Sequence, residues 1–220
     1  NSSTGNKYSL WVNVYGVSER YLNVYGEKDL RAQMNQFFHR TYTHPVDGTT
    51  LDMKMLCNWY WYDETAILET GKGTKDWNFY RYAETLLSAA EAIAQSSGVN
   101  AEAAGYLAQV KARANMEGKD VSTIASELQR LGKQAFIEEC WKERLREFPL
   151  EMKIWDDCVR TGKFPQISAT NKGEVQFVDL IGAKNGSGAT FKATDLYWPI
   201  PVNEIQRNPN LTQNEGYSAK

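Results

Sequence analysis

Acidic side chains come nearest to a catalytic arrangement in this sequence. A glycoside hydrolase needs two carboxylates at a defined separation across the bond that it cleaves. The sequence contains two adjacent acidic pairs in helix-like stretches, Glu138–Glu139 and Asp156–Asp157. Neighbouring side chains on a helix point about 100° apart, so neither pair converges on one substrate atom. These pairs therefore do not favour catalysis.

Glutamates at helical spacing form a second acidic set. Glu84 and Glu91 share one helix face, and Glu143 and Glu147 share another. Two arginines stand between the members of the second pair. This pattern predicts ion pairs on helix faces and hydrogen bonds to loops. An all-helical glycan-active hydrolase that uses these glutamates stays open as an alternative.

Histidines and cysteines do not form a recognisable site. His39 and His44 are the two histidines, five residues apart in an irregular stretch, and we expect them to be surface or half-buried side chains. Cys57, Cys140 and Cys158 are an odd set without CxxC spacing, which argues against a disulfide framework or zinc. We expect Cys140 and Cys158 to be buried free thiols. The sequence therefore predicts no metal site and no cofactor.

Aromatic rings are abundant and unevenly placed. The chain has 7 Trp, 12 Tyr and 8 Phe, and sixteen of these rings lie between Tyr8 and Tyr82. Trp and Tyr join an apolar ring to a polar tip, so they suit ligands that present both kinds of surface. Their concentration near the start of the chain is the first indication of a binding function.

The composition is that of a folded protein. The chain has 220 residues, 42% of them hydrophobic, with 27 acidic and 25 basic side chains. This balance excludes an intrinsically disordered chain, and the lack of a basic cluster argues against a nucleic-acid binder. No apolar run reaches the ~18 residues that a membrane span requires. The length favours a single domain over residues 1–220.

Residues 1–75 are predicted to be loop-rich with short strands. Pro45 and the following Asp-Gly predict a turn at residues 44–48. Residues 31–43 fit a short helix or a strand equally well. Residues 56–62 have strand composition, with two tryptophans on one face and two tyrosines on the other.

Residues 76–220 are predicted to form a helical core and a tail. Gly98 ends a first helix and Asn100 caps the next, so the two form an antiparallel αα-hairpin. Ser122 is the expected cap of a third helix, and Gly132 interrupts the pattern that follows. The buried face of the first helix is predicted to carry Phe79, Tyr82, Ala83, Leu86, Leu87, Ala90 and Ala94.

The tail after residue 162 is predicted to be loop-rich. A short helix carrying Trp155 should end at Gly162, and residues 198–201 must be extended because each proline restricts the residue before it. A helical turn is expected at 203–205. The predicted fold class is mainly α, with αα-hairpins of an α/α superhelix-like core, long irregular loops and short β-strands.

Four sequence blocks resemble the SusD/RagB family. Residues 81–92 resemble its R-Y-A-E-x-L-L-x-x-A-E-A helix, and residues 110–114 resemble its V-R-A-R-A helix. Residues 143–162 match its E-R-x-x-E-F block and R-T-G ending, and residues 198–217 match its C-terminal signature. Asp29-Leu30-Arg31 corresponds more weakly to a D-P-R motif of the family.

The resemblance has local departures. Met152 stands where the family usually has Gly, Ile154 where it has Arg, and Cys158 where it has Leu, which questions the ion pairing around Glu151. Family members usually run to about twice this length. The chain starts at Asn1 without an initiator Met, so we expect it to be the C-terminal part of a longer protein.

The resemblance implies a surface lipoprotein of the outer membrane that captures oligosaccharide or polysaccharide. It implies delivery to a SusC-like TonB-dependent transporter, and a membrane link only through a lipid anchor that this chain lacks. A module of the same family that captures peptide or protein is the alternative. Binding without cleavage is expected, with no enzymatic activity.

Ligand loops of this family tend to precede the R-Y-A-E helix, where the aromatic excess of this chain lies. An aromatic ring covers the apolar face of a sugar while an amide or carboxylate binds its hydroxyls. Core burial is expected for Trp77, Trp141, Trp155 and Trp198, which lie within or beside the matched blocks. The predicted ligand-binding residues are Trp11, Tyr15, Tyr21, Tyr25, Asn58, Trp59 and Trp61.

Overall fold

The computed structural model describes residues 17–218, without the Ile67 side chain. Six α-helices are present in this range: α1 (Tyr82–Ser97), α2 (Ala101–Ala114), α3 (Val121–Leu128), α4 (Lys133–Glu147), α5 (Ile154–Thr161) and α6 (Val202–Arg207). Four strands form two separate two-stranded sheets: β1 (Phe38–Thr43) with β2 (Thr50–Asn58), and β3 (Lys163–Ile167) with β4 (Val175–Asp179). The mainly α prediction is confirmed.

The α1–α2 hairpin follows the local signals in the sequence. Gly98 ends α1 with a positive φ of 83°, a conformation that glycine adopts without strain. Asn100 precedes α2, and its side chain accepts a hydrogen bond from the Ala103 N–H. Both predictions are confirmed, and α1 and α2 pack against each other and against α4.

The cap of α3 differs from the prediction. Asp120, not Ser122, accepts the hydrogen bond from the Thr123 N–H, at 2.8 Å. A carboxylate at the N-terminus also interacts favourably with the helix dipole. Gly132 separates α3 from α4, as predicted.

The core lies between the first four helices. Its fully buried members include Leu87 of α1, Leu107 of α2 and Phe136 of α4. Cys140 is buried in this cluster with a free thiol, and Cys158 of α5 is also a buried free thiol, which confirms the prediction for both.

The prediction that Phe79 and Tyr82 lie on the buried face of α1 is wrong. Phe79 is 76% exposed and Tyr82 is 72% exposed. The helix begins at Tyr82, so Phe79 lies before it and outside its periodicity. Tyr82 is in the first turn, where no described element covers the ring.

The segment before the helices contains a β-hairpin. Residues 17–37 form two 3₁₀ turns, Glu19–Val24 and Leu30–Ala32, and β1 follows. Strand β2 runs antiparallel to β1 from Thr50 to Asn58. Residues 59–62 form a turn instead of continuing the strand, so the predicted alternation of tryptophans and tyrosines there is wrong.

Contacts divide the chain into two compact units. Among the described residues, the first contains 17–154 and 167–175, and the second contains 155–166 and 176–218. The single domain over residues 1–220 stays a prediction. Among the described helices, none has the length and apolar character to cross a membrane.

The second unit holds its extended C-terminal segment with side chains. The side-chain amide of Gln213 bonds both the N–H and the carbonyl of Ile200, at 2.8 and 2.9 Å. Asn214 donates to the carbonyl of Trp198, at 2.7 Å. Residues 198–201 form neither helix nor strand, and the predicted core burial of Trp198 is wrong, because this residue is 89% exposed.

Trp155 of this unit is also more exposed than predicted. Its ring packs against Phe191 with centroids 5.7 Å apart, yet a large part of it faces solvent. Trp141, in the first unit, is half-buried and packs against the helical core, in keeping with its predicted place.

Candidate functional site

Two stacked pairs of aromatic rings lie at the end of the β1–β2 hairpin. The rings of Trp59 and Tyr62 are parallel within 8°, with centroids 4.2 Å apart. The rings of Trp61 and Trp77 are also parallel within 8°, with centroids 4.7 Å apart. We call these four partly exposed side chains the aromatic surface.

The turn after β2 creates the first stack. Asn58 ends the strand, and its side-chain oxygen accepts a hydrogen bond from the Trp61 N–H, at 3.4 Å. The Tyr62 N–H donates to the Trp59 carbonyl, at 2.9 Å. This turn folds the chain back within four residues, so the rings at its two ends meet face to face.

A loop closed by Asp63 leads to Trp77, one of the two rings of the second stack. The Asp63 carboxylate accepts hydrogen bonds from the N–H groups of Ala66 and Thr74, at 3.1 and 2.8 Å. These bonds close the loop between Asp63 and Thr74, eleven positions further on and three positions before Trp77. Trp61 is held separately, because its indole N–H donates to the Leu150 carbonyl, at 3.3 Å.

Lys75 lies over the rings beside this stack. Its ammonium group donates to the Tyr60 carbonyl, at 2.6 Å. It lies 5.3 Å from the Tyr60 ring centre and 5.9 Å from the Trp61 ring centre. A cation at this distance from a ring is attracted to the ring face.

His39 packs under the first stack. Its ring meets Trp59 edge-on, with centroids 4.7 Å apart. Both histidines are buried rather than at the surface. The Nδ1 atom of His39 is buried with no hydrogen-bond partner among the described residues, and burial lowers the pKa of this imidazole.

The structure brings three predicted site residues together. Asn58, Trp59 and Trp61 lie within one turn and are all partly exposed. Trp11 and Tyr15 lie outside the described residues.

Tyr25 lies in the interior of the first unit and Tyr21 is half-buried there, so neither ring belongs to the aromatic surface, and their ligand role stays a prediction. Tyr25 is fully buried, and its hydroxyl donates to the Arg146 carbonyl, at 3.0 Å. Tyr21 donates to the Leu145 carbonyl, at 2.7 Å. Burial raises the pKa of both phenols. Both hydroxyls therefore join the N-terminal segment to α4.

Sequence reasoning missed two members of the aromatic surface. Tyr62 was expected on the strand face opposite Trp59, and Trp77 was expected in the core. Trp77 is instead 45% exposed and packs on Trp61. The Asp63 and Gly-rich pattern between the rings was a signal for a closed loop, but it does not by itself specify which rings meet.

The conspicuous glutamates of α4 lie in a buried network of ion pairs. Glu147 is fully buried, and it accepts hydrogen bonds from Arg31 and Arg81, each at 3.0 Å, and from Arg113. Glu143 is also buried and accepts from Arg31, at 2.9 Å. The predicted ion pairs are confirmed.

Glu143 keeps its charge despite this burial. Burial alone would raise the pKa of its carboxyl, but the charges of Arg31, Lys111 and Arg146 outweigh it and lower the pKa to about 2. A carboxylate held in this way stays ionised at neutral pH and does not donate a proton. It therefore does not suit general acid catalysis.

The network also includes the residues whose pairing the departures had questioned. Arg81 binds Glu151 through two nitrogens, with Nη2 at 2.7 Å from Oε1 and Nε at 2.9 Å from Oε2. Asp29 likewise accepts two hydrogen bonds from Arg31, with Nη2 at 2.7 Å from Oδ2 and Nε at 3.0 Å from Oδ1. Met152 adopts a positive φ of 57°, the conformation that favours the glycine found there in the family.

No group of three or more His, Cys, Asp or Glu side chains within residues 17–218 has the arrangement to hold a metal ion.

Comparisons with known proteins agree on one family. The model of the SusD family matches residues 10–217. The starch-binding protein SusD of Bacteroides thetaiotaomicron is 36% identical over 138 residues, which cover 63% of this chain and 21% of that protein.

The fold has a match among solved structures. The crystal structure of a SusD superfamily protein from Parabacteroides distasonis ATCC 8503 superposes with a TM-score of 0.77 and 30% sequence identity. The match covers 96% of this chain and 44% of that chain. The chain thus spans about a fifth of the length of the starch-binding relative and less than half of the structural one. On the family model, the sequence identity and the shared fold, the chain belongs to the SusD family.

Proposed function

We propose that this protein binds a glycan at the aromatic surface, without cleaving it. The observation that supports this most is the pair of ring stacks, which presents tryptophan and tyrosine to solvent on a braced loop. Core aromatics elsewhere in the first unit, such as Tyr25 and Phe38, are fully buried. The rings of the aromatic surface, in contrast, are partly exposed.

The chemistry of the surface fits a sugar. The face of a pyranose ring that carries C–H groups packs on an aromatic ring, and its hydroxyls need polar partners nearby. Lys75 and the side-chain amide of Asn58 offer N–H donors beside the rings. The stacked arrangement limits the motion of each ring, so little side-chain entropy is lost on binding.

The state of three carboxylates in the helical blocks supports binding without cleavage. Glu143 and Glu147 are buried and paired with arginines, and Glu84 is paired with Arg144 and Lys153. A retaining or inverting glycosidase needs two carboxyl groups facing the substrate. The relative from Bacteroides thetaiotaomicron is named for binding starch, which supports the same kind of role here.

The cellular role is proposed from the family resemblance. We infer a place at the surface of the outer membrane, where the protein captures glycan and hands it to a SusC-like TonB-dependent transporter. A lipid anchor would link the protein to the membrane. Co-purification of the protein with a transporter of this class from its native membrane is the direct test.

Calorimetry against a panel of polysaccharides tests the binding function, with soluble starch as the first member. We expect saturable binding of at least one glycan, with no new reducing ends after overnight incubation. Release of reducing sugar from a bound glycan would show an enzyme instead. Binding of unstructured peptides with no glycan binding would favour the peptide-capturing alternative.

A further inference from the structure

A polar cleft of about 490 Å³ lies in the first unit, apart from the aromatic surface. One wall is the segment from Gly26 to Arg31, and the other is the end of α2 with the turn that leads into α3. We propose that this cleft is a second binding site, for a neutral mono- or disaccharide. The proposal does not depend on the function of the aromatic surface.

The walls of the cleft are joined by backbone and side-chain hydrogen bonds. The Met116 N–H donates to the Lys28 carbonyl, at 2.9 Å, and Asp29 forms a β-bridge with Asn115. The side chain of Asn115 donates to the Lys119 carbonyl, at 3.1 Å, and accepts from the next turn. The cleft is therefore formed before any ligand arrives, which lowers the cost of binding.

Arg146 contributes a guanidinium group to the lining of the cleft. Arg146 is more than nine-tenths buried, and its Nε donates to the Val24 carbonyl, at 3.1 Å. Its Nη1 binds Glu139 and Glu143, at 2.9 and 3.2 Å. Its Nη2 makes no hydrogen bond to residues 17–218, and it is not among their buried polar atoms without a partner, so solvent reaches it. Because Arg146 lines the cleft, an oxygen atom of a ligand is the natural partner for this nitrogen.

The charge of the lining favours a neutral ligand. Five basic and five acidic side chains line the cleft, so their formal charges cancel. Aromatic rings are absent from the described lining, so binding must come from hydrogen bonds rather than from stacking. A small sugar has no net charge and many hydroxyls, each able to donate and accept. The volume lies in the range of about 300–1,000 Å³ that is typical of small-molecule sites.

Nuclear magnetic resonance of the whole chain tests the proposal, with maltose and glucuronate as probes. Maltose should shift the backbone amide signals of Gly26, Asn115 and Glu117 in a saturable way, in the wild type and equally in Trp77→Ala. Gly26→Gln adds a side chain to the cleft wall, where a Cβ meets no atom within 4 Å and no positive φ is required. We expect this variant to weaken the maltose effect at Asn115 at least tenfold.

Gly105→Gln is the matched control, because Gly105 also has free space for a Cβ but lies on α2 outside the cleft lining. It should respond to maltose as the wild type does. Unchanged cleft signals at saturating maltose would overturn the proposal, and so would shifts with glucuronate alone. Shifts confined to the aromatic surface and lost in Trp77→Ala would support the proposed function while removing the second site.

Discussion

The buried charge network and the aromatic surface differ in what their side chains are free to do. Glu147 has three arginine partners and no contact with solvent. Trp77 has one ring partner and nearly half of its surface exposed. The network fastens the N-terminal segment and the start of α1 onto α4, whereas the aromatic surface leaves ring area available to a ligand.

This difference separates the residues that identify the family from the residues that we propose to bind glycan. The arginines and glutamates of the network lie in the blocks that resemble the SusD/RagB family, such as Arg81 and Glu147. The rings of the aromatic surface lie before those blocks. Residues that hold the fold together can thus identify the family, while the proposed binding residues lie outside the blocks that resemble it.

Removing one charge from the network should have the largest effect. Glu147→Ala removes one buried carboxylate that Arg31, Arg81 and Arg113 share, and breaking a buried ion pair costs about 3–5 kcal/mol. We expect a loss of that size in the free energy of unfolding, measured by urea denaturation. Glu138→Ala is the control on the same helix, since the bond that Glu138 makes is with Gln134 at the surface. A loss below 1 kcal/mol for Glu147→Ala would show that the network does not hold the fold.

Acidic pH should have the second-largest effect, because it removes the charge of Glu143 from the network. The pKa of Glu143 is about 2 in the folded chain, below its ordinary value of 4.5. The stabilisation from this carboxylate is therefore complete above pH 4.5 and is lost as the pH falls towards 2, by about 3 kcal/mol in all.

The stability difference between pH 6 and pH 3 measures this contribution. Glu143→Gln should be less stable than the wild type at pH 6 and should lose less on acidification. Glu138→Gln, on the same helix, should keep the pH dependence of the wild type. If Glu143→Gln and the wild type lost equal stability between pH 6 and pH 3, another group would be responsible for the acid sensitivity.

Opening the first ring stack should weaken binding with a moderate loss of stability. Tyr62→Ala removes the ring that lies 4.2 Å from Trp59. Stacked aromatic pairs contribute about 0.5–1.5 kcal/mol beyond the area they bury. We expect about fivefold weaker glycan binding by calorimetry, and Tyr62→Phe should retain it. Wild-type glycan affinity in Tyr62→Ala would show that the first stack is not part of the binding site.

Removing the Tyr25 hydroxyl should affect stability alone. Tyr25→Phe leaves the Arg146 carbonyl without this buried donor, which costs about 1 kcal/mol. Glycan affinity should not change. Tyr82→Phe is the exposed control and should alter neither quantity. A loss of glycan affinity in Tyr25→Phe would instead support a binding role for Tyr25.

Relieving the backbone of Met152 should have the smallest effect, and it should be stabilising. A non-glycine residue at a φ of 57° is strained by about 1 kcal/mol. Met152→Gly removes this strain, partly offset by the greater freedom of glycine in the unfolded chain. We expect an increase of up to about 1 kcal/mol in the free energy of unfolding. A decrease would show that the exposed methionine contributes contacts that outweigh the strain.

Local features of the fold were predictable from the sequence because their signals are local. Gly98 and Asn100 mark the hairpin between α1 and α2 by backbone and capping chemistry that acts within four residues. Errors arose where two local signals compete or where a pattern meets its boundary. Asp120 and Ser122 both suit a cap, and Phe79 continues the spacing of α1 before the helix has begun.

Long-range contacts were not predictable in this way. Arg31 and Glu143 are 112 positions apart, and neither sequence neighbourhood indicates the other. The pairing of Trp61 with Trp77 likewise depends on the loop that Asp63 closes. The burial of Tyr25 depends on a carbonyl of α4, 121 positions away. The sequence shows that aromatic residues are concentrated before α1, but only the fold separates the exposed rings from the buried ones.

A comparison of two tryptophan variants tests the central claim most directly. Trp77→Ala removes one ring from the second stack, and Trp198→Ala removes an exposed tryptophan of the second unit. In calorimetry with a glycan that the wild type binds, Trp77→Ala should lower the affinity at least about tenfold, a free-energy change of 1.4 kcal/mol. Trp198→Ala should leave it unchanged. Equal affinities for Trp77→Ala and the wild type would contradict the account.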